Sequence, residues 1–286
     1  MVRKHVQLSF MHRQQTLIII VFIVSTFALN TALADLTLSA PPRETPEAGE
    51  KVYKPLADYL TKVLGEKVVY EHPINWKNYE TKMKKDEYDI VFDGPHFAAW
   101  RIAALSARPL VKLPGELNFV LIVKHTDFDN LKPRNLVGKR VCTLPSPNLG
   151  ALTLFSMFPH PARQPDYVII KGGFPDVAEA LEQDRCDGAI LRAKYYDKKA
   201  SKEFRKSTRV VKRSKGYTNQ GITVSSRIPP AYDKLLINSL TVGDGQNAAK
   251  NLFKRFVGKS GRFIRAEKKE YESENLLVDN AIFGWE

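Results

Sequence analysis

Tyr88-Asp89-Ile90-Val91-Phe92-Asp93-Gly94-Pro95-His96-Phe97 reads as a strand that runs through a tight turn straight into a helix. The unbroken Ile90-Val91-Phe92 run lacks polar alternation, the mark of a strand covered on both faces, as in parallel sheets. Gly94 permits a close backbone approach. Pro95 fits the first helical turn, where its missing N–H costs nothing, so a helix is expected over 95–104. Upstream, 36–40 reads as a strand and 46–64 as a helix, because Val52, Leu56, Leu60 and Leu64 recur at four-residue spacing and Gly65 follows as a terminator. A strand over 68–71 and a helix over 76–85 complete a β-α-β-α-β-α series, the pattern of α/β layers.

The same plan restarts after a polar segment at 126–139. Strands are expected at 140–144, 167–170 and 188–191, with helices at 148–158, 174–183 and near 194–204. The extended segments 107–124 and 208–225 lie between and after the two halves, as natural crossovers. Helices over 231–258 lack partner strands and are expected to pack on the first lobe. The predicted class is therefore α/β with two lobes, two doubly wound sheets joined by two hinge strands. Lobe 1 comprises 35–118 and 222–286, and lobe 2 comprises 119–221.

The first 34 residues read differently. Arg3, Lys4 and Arg13 precede an apolar run from Leu17 to Leu29, about 13 residues and short for a permanent span. Ala32-Leu33-Ala34 then offers small residues for a signal peptidase. Residues 1–34 are expected to be a signal peptide that exports the chain to the periplasm or another extracytoplasmic space, with retention as a short anchor as the alternative. Its removal takes three basic residues and no acidic one, lowering the formal charge from +13 to +10. A basic balance suits nucleic acid, a membrane surface or a small anion; no nucleic-acid motif or Arg-rich arm is present. No Gly-x-Ser-x-Gly elbow or His-Glu-x-x-His pair occurs, so neither a secreted hydrolase nor any other enzyme is the preferred reading. No cofactor or metal is expected. Cys142 and Cys186, in an oxidising compartment, are expected to form one disulfide. It would close a loop of roughly 43 residues, worth about 4 kcal/mol in the chain-entropy description.

Open α/β sheets bind ligands beyond the carboxyl ends of their strands, so the candidate residues are those that follow each strand. Arg43 can fork onto an oxyanion or pair with Glu44. Asp93, Gly94, Pro95 and His96 open a helix whose dipole favours an anion, although a lone histidine is more often a satisfied structural residue. Ser146 and Asn148 are ready helix caps or ligand donors. Phe174, in the permissive turn Lys171–Asp176, and Arg192 with Tyr195 lie at two more strand ends, and Asn219 lies in the second crossover.

Read together, these segments resemble the periplasmic phosphate/phosphite/phosphonate-binding components of ABC importers. The stretches that carry the resemblance are Pro55-Leu56-Ala57-Asp58-Tyr59-Leu60, Asn78-Tyr79-Glu80, Tyr88 through Phe97, Leu136-Val137-Gly138-Lys139-Arg140-Val141, and Ala178-Glu179-Ala180-Leu181 through Cys186-Asp187-Gly188-Ala189. The resemblance implies the periplasmic-binding-protein fold, with a ligand held in a hinged cleft by hydroxyls, backbone amides and a few charges. By motif position it places Tyr79, Gly94, Pro95 and Phe97 at the first-lobe contacts. The chain departs from the family at Ser146-Pro147-Asn148-Leu149-Gly150, where one hydroxyl stands in a turn usually rich in them. It departs again at Gly172-Gly173-Phe174-Pro175-Asp176, so that either Arg192, Arg43 and His96 supply the missing charge or the ligand is something other than a phosphonate. The implied partners are a small anionic ligand and either an ABC permease or a membrane sensor kinase, met by a monomer.

Overall fold

The stretch that opened the sequence reading sits inside a six-stranded sheet, with all four residues of its strand buried. The computed structural model describes residues 35–125, 131–258 and 260–272. The expected signal peptide at 1–34, part of the polar segment after 125 and the tail from 273 lie outside the described residues.

In chain order the first half runs β1 (Leu36–Ser39), α1 (Pro46–Leu64), β2 (Val68–Glu71), α2 (Trp76–Lys84), β3 (Ile90–Asp93), α3 (Pro95–Ala104) and β4 (Arg108–Lys112). Thr45 caps α1, its side chain accepting from the Ala48 N–H, and Gly65 ends the helix in the left-handed conformation at φ 72°. Pro55 lies inside α1 and cannot donate to the Lys51 carbonyl one turn back. That carbonyl instead accepts the Asn251 side-chain amide at 2.7 Å.

The chain continues through β5 (Glu116–Leu117), β6 (Phe119–Lys124), β7 (Arg140–Thr143), α4 (Leu149–Ser156), β8 (Asp166–Ile169), α5 (Phe174–Glu182), β9 (Gly188–Arg192), α6 (Ala193–Lys198), α7 (Lys202–Ser207) and β10 (Thr208–Arg213). The single helix expected near 194–204 is two short ones. Ser201 interrupts it by capping α7, its hydroxyl accepting from the Phe204 N–H at 2.9 Å. The chain then passes through β11 (Tyr217–Thr218), β12 (Gly221–Val224), α8 (Asp233–Thr241), α9 (Gly243–Ala248), α10 (Lys250–Val257) and β13 (Ile264–Arg265).

These strands form two mixed sheets flanked by helices, the expected two-lobed α/β architecture. The first has the order β13-β4-β12-β3-β1-β2, and the second β10-β6-β9-β7-β8. Within them β1 is parallel to β2 and β3, and β7 is parallel to β8 and β9. The links between the sheets also pair, since β5 and β11 form an antiparallel ribbon with Leu117 opposite Tyr217. Helices α8 and α10 add Leu236, Leu240, Leu252 and Phe253 to the core that Leu56 and Leu60 of α1 form over the first sheet. Cys142 of β7 is bonded to Cys186, as expected, with Cα atoms 5.7 Å apart.

Candidate functional site

Each sheet reverses its winding once among its parallel strands, between β1 and β3 in the first and between β7 and β9 in the second. The carboxyl ends at such a reversal splay apart and leave a crevice. Here the two crevices face one another across a cavity of about 470 Å³. From the first sheet come Pro42 and Arg43 after β1 and Gly94, Pro95 and His96 after β3. From the second come Leu144–Leu149 after β7 and Arg192 at the end of β9, together with Gly172, Gly173 and Phe174 ahead of α5.

Three helix N-termini therefore open on this space. Neither α3 nor α5 has a side-chain cap from its N-cap glycine, Gly94 or Gly173. Asn148 does cap α4, its Oδ1 accepting from the Gly150 N–H at 2.8 Å. The partial positive charge at these ends favours an anion, and the side chains reinforce it. Arg43, Arg192 and Arg255 line the cavity, and no Asp or Glu among the described residues does. Arg255 is engaged by Glu44 at 2.8 Å, so the Arg43–Glu44 pairing open in the sequence does not form. Arg43 keeps a buried Nη1 without a hydrogen-bond partner. Burial works against the charge of Arg192 and lowers its pKa, and no acid is placed against it.

Two further buried polar atoms at the cavity lack partners, Ser146 Oγ and His96 Nδ1. His96 Nε2 lies 3.1 Å from the Pro147 carbonyl oxygen across the cleft. A carbonyl only accepts, so Nε2 carries the proton and donates it. Burial, followed by the charge of Arg43, drives the His96 pKa down to about 3, so the ring is neutral at physiological pH.

Of the residues read from the sequence, the cavity gathers Arg43, Gly94, Pro95, His96, Ser146, Asn148, Phe174 and Arg192. Tyr79, Asp93, Phe97, Tyr195 and Asn219 do not line it. The Tyr79 hydroxyl donates to Asp93 Oδ2 at 2.8 Å, and Arg101 Nη1 donates to the same oxygen at 2.9 Å. This fully buried pair lies behind α3, where burial raises the Asp93 carboxyl against the pull of Arg101. Phe97 fills an aromatic cluster with Tyr79 and Tyr88. Tyr195 packs on the second-sheet core. Asn219 ties the crossovers, its Nδ2 donating to the Pro114 carbonyl at 2.9 Å.

The sequence reading missed Trp76, Phe119, Arg255 and Phe256 as cavity residues. Gln220 lies within the expected second crossover, 208–225, and lines the cavity as well. Arg255 and Phe256 come from a helix far along the chain, and nothing local marks them. No helix among the described residues is long and apolar enough to cross a membrane.

Comparison with known proteins agrees with this geometry. A family model for the phosphonate periplasmic substrate-binding protein of ABC transporters matches residues 38–271. Comparison with curated protein sequences finds no match. Among solved structures, XAC2383 of Xanthomonas citri, bound to ATP, superposes with a TM-score of 0.68 at 15% identity, over 86% of this chain and 97% of that one. PhnD1 of Prochlorococcus marinus, in complex with methylphosphonate, gives a TM-score of 0.61 at 16% identity, over 85% and 96%. A binding-protein component of an ABC phosphonate transporter from Pseudomonas aeruginosa gives 0.54 at 11% identity, over 85% and 84%. At such identities the structural likeness speaks for the fold, and the family match extends it to the class of protein. The chain belongs to the family of ABC-transporter phosphonate periplasmic substrate-binding proteins.

Proposed function

We propose that this protein captures a small phosphonate- or phosphate-like anion outside the cytoplasm and presents it to the permease of an ABC importer. The observation that carries the reading is the acid-free cavity, which holds Arg43 and Arg192 without carboxylate partners beneath three helix N-termini. A desolvated guanidinium gains far more from an anion than it would at the surface. In this reading the chain acts as a monomer after cleavage of residues 1–34, and it binds without transforming its ligand. The lobes are 35–118 with 222–286, and 119–221, a division supported by sheet membership.

Isothermal titration of the mature protein with methylphosphonate, phosphite and phosphate tests this. One ligand per chain is expected, with an accompanying rise in Tm by mass action. Arg192→Ala and Arg43→Ala should each weaken binding, because a hydrogen bond to a charged group contributes about 1.5–3 kcal/mol, or roughly 10- to 150-fold in Kd. No stabilisation by any of these anions at millimolar concentration would refute the proposal.

A further inference from the structure

The acceptor atom His96 Nδ1 is at odds with the rest of the cavity. An anion site is built from donors, yet here a neutral ring in the lining carries a lone pair with no partner. The ring has no freedom to do otherwise, since His96 is 2% exposed and its Nε2–H is committed to Pro147. Nδ1 is buried and makes no hydrogen bond.

The surroundings of Nδ1 are set by Gly94. A Cβ at that glycine would come within 3.0 Å of Nδ1, 2.7 Å of the adjoining ring carbon Cε1 and 3.6 Å of Arg43 Nη2. The space a side chain would need is therefore taken by the ring itself, which packs on the Gly94 backbone with one acceptor, Nδ1, beside one cationic donor, Arg43. Ser146, 3% exposed, adds a hydroxyl without a partner to the lining of the same cavity. Full satisfaction of this neighbouring acceptor and donor needs a group that offers O⁻ to Arg43 and O–H to His96. A sulfonate or carboxylate at neutral pH has acceptors only and would set an oxygen lone pair against Nδ1. A singly ionised phosphonate or phosphate carries both functions on one phosphorus atom.

Resting on the proposed anion capture, we infer that His96 is a specificity-determining residue that selects the singly protonated form of a phosphonate or phosphate and rejects sulfonates. Discrimination arises because the wrong ligand leaves a buried acceptor unpaired, a penalty larger than the gain from an extra contact.

The test is calorimetric titration of the mature protein at pH 6.5 with methylphosphonate and with methanesulfonate, which is nearly isosteric but has no proton to give. The wild type should favour methylphosphonate by at least tenfold. His96→Gln keeps a side-chain N–H near the Nε2 position for Pro147 while deleting the Nδ1 lone pair. It should lose tenfold or more in methylphosphonate affinity and leave methanesulfonate unchanged or tighter. An unaltered preference in the variant, or no preference in the wild type, overturns the inference while anion capture stands. Binding of neither ligand by the wild type overturns both.

If His96→Gln does not fold, the wild type alone decides through its pH profile from 6 to 9. The charged groups around the ring are Arg43, Arg192 and Arg255 on the cavity side, with Glu44 against Arg255, and the Asp93–Arg101 pair behind α3. Among the described residues His96 is the only histidine in the lining, and it is already neutral at pH 6, so the titrating species in this window is the ligand. Methylphosphonate affinity should fall about tenfold per pH unit above the ligand's second ionisation, with methanesulfonate flat. Methylphosphonate affinity that holds or rises with pH refutes proton selection.

Discussion

Asp93 lies one residue before the glycine that opens the cavity, yet its carboxylate faces the other way. Tyr79 and Arg101 both donate to its Oδ2, and Arg101 also donates to the Thr223 hydroxyl. Cutting one partner out of a buried ion pair strands the other charge, at a cost of about 3–5 kcal/mol. Asp93→Asn should therefore lower stability by that amount in urea unfolding and leave methylphosphonate affinity within about threefold of wild type. A large loss of affinity with intact stability would return Asp93 to the site. This residue also shows how far local reading reaches. The run Asp93-Gly94-Pro95-His96 announces a strand end and a helix start, and Gly94, Pro95 and His96 do line the cavity. Which way Asp93 points depends on Arg101, two turns along α3, and on Thr223 from a strand more than a hundred residues away. Side-chain direction is settled by such distant partners.

At the scale of elements, strand and helix types are legible because burial imposes its own period, and both halves repeat one plan. The misreading at 194–204 has a local cause in Ser201, whose hydroxyl competes for a backbone donor and starts a new helix. The cysteine pairing was legible by count alone, and the fold explains what it joins. Cys142 lies on β7, and Cys186 precedes β9, its parallel neighbour. The bridge thus staples the segment after α5 to β7, an interior strand of the second sheet. With a separation of 44 residues, opening it should cost about 4 kcal/mol through the entropy restored to the unfolded chain. Urea unfolding of Cys142→Ala/Cys186→Ala against the wild type checks this. Equal midpoints would show that packing around β7 already holds the segment without the bond.

At the scale of the molecule, the decisive feature is that each lobe contributes only part of a site. Arg43 and His96 come from one sheet's crevice, and Ser146 and Arg192 from the other's, while the chain between them narrows to the β5–β11 ribbon. Two crevices joined by so slender a link can separate with little loss of packing, because each of the large hydrophobic clusters belongs to one sheet alone, the ribbon's Leu117 and Tyr217 packing into the core of the second. In the described arrangement the cleft is bridged directly by His96 and Pro147. One buried neutral hydrogen bond contributes only about 0.5–1.5 kcal/mol net, whereas closure without ligand confines Arg43 and Arg192 among donors and other cations. The ligand-free balance should accordingly favour separation, and an anion that meets groups from both lobes should shift the population toward closure. Small-angle scattering of the mature protein should then show a smaller radius of gyration with saturating methylphosphonate than without it. Arg192→Ala, which removes a second-lobe contact, should need a higher ligand concentration to reach the same compact state. A radius of gyration unchanged by a ligand that calorimetry shows to be bound would mean that the two crevices form one preassembled site, with β5 and β11 serving as a rigid strut.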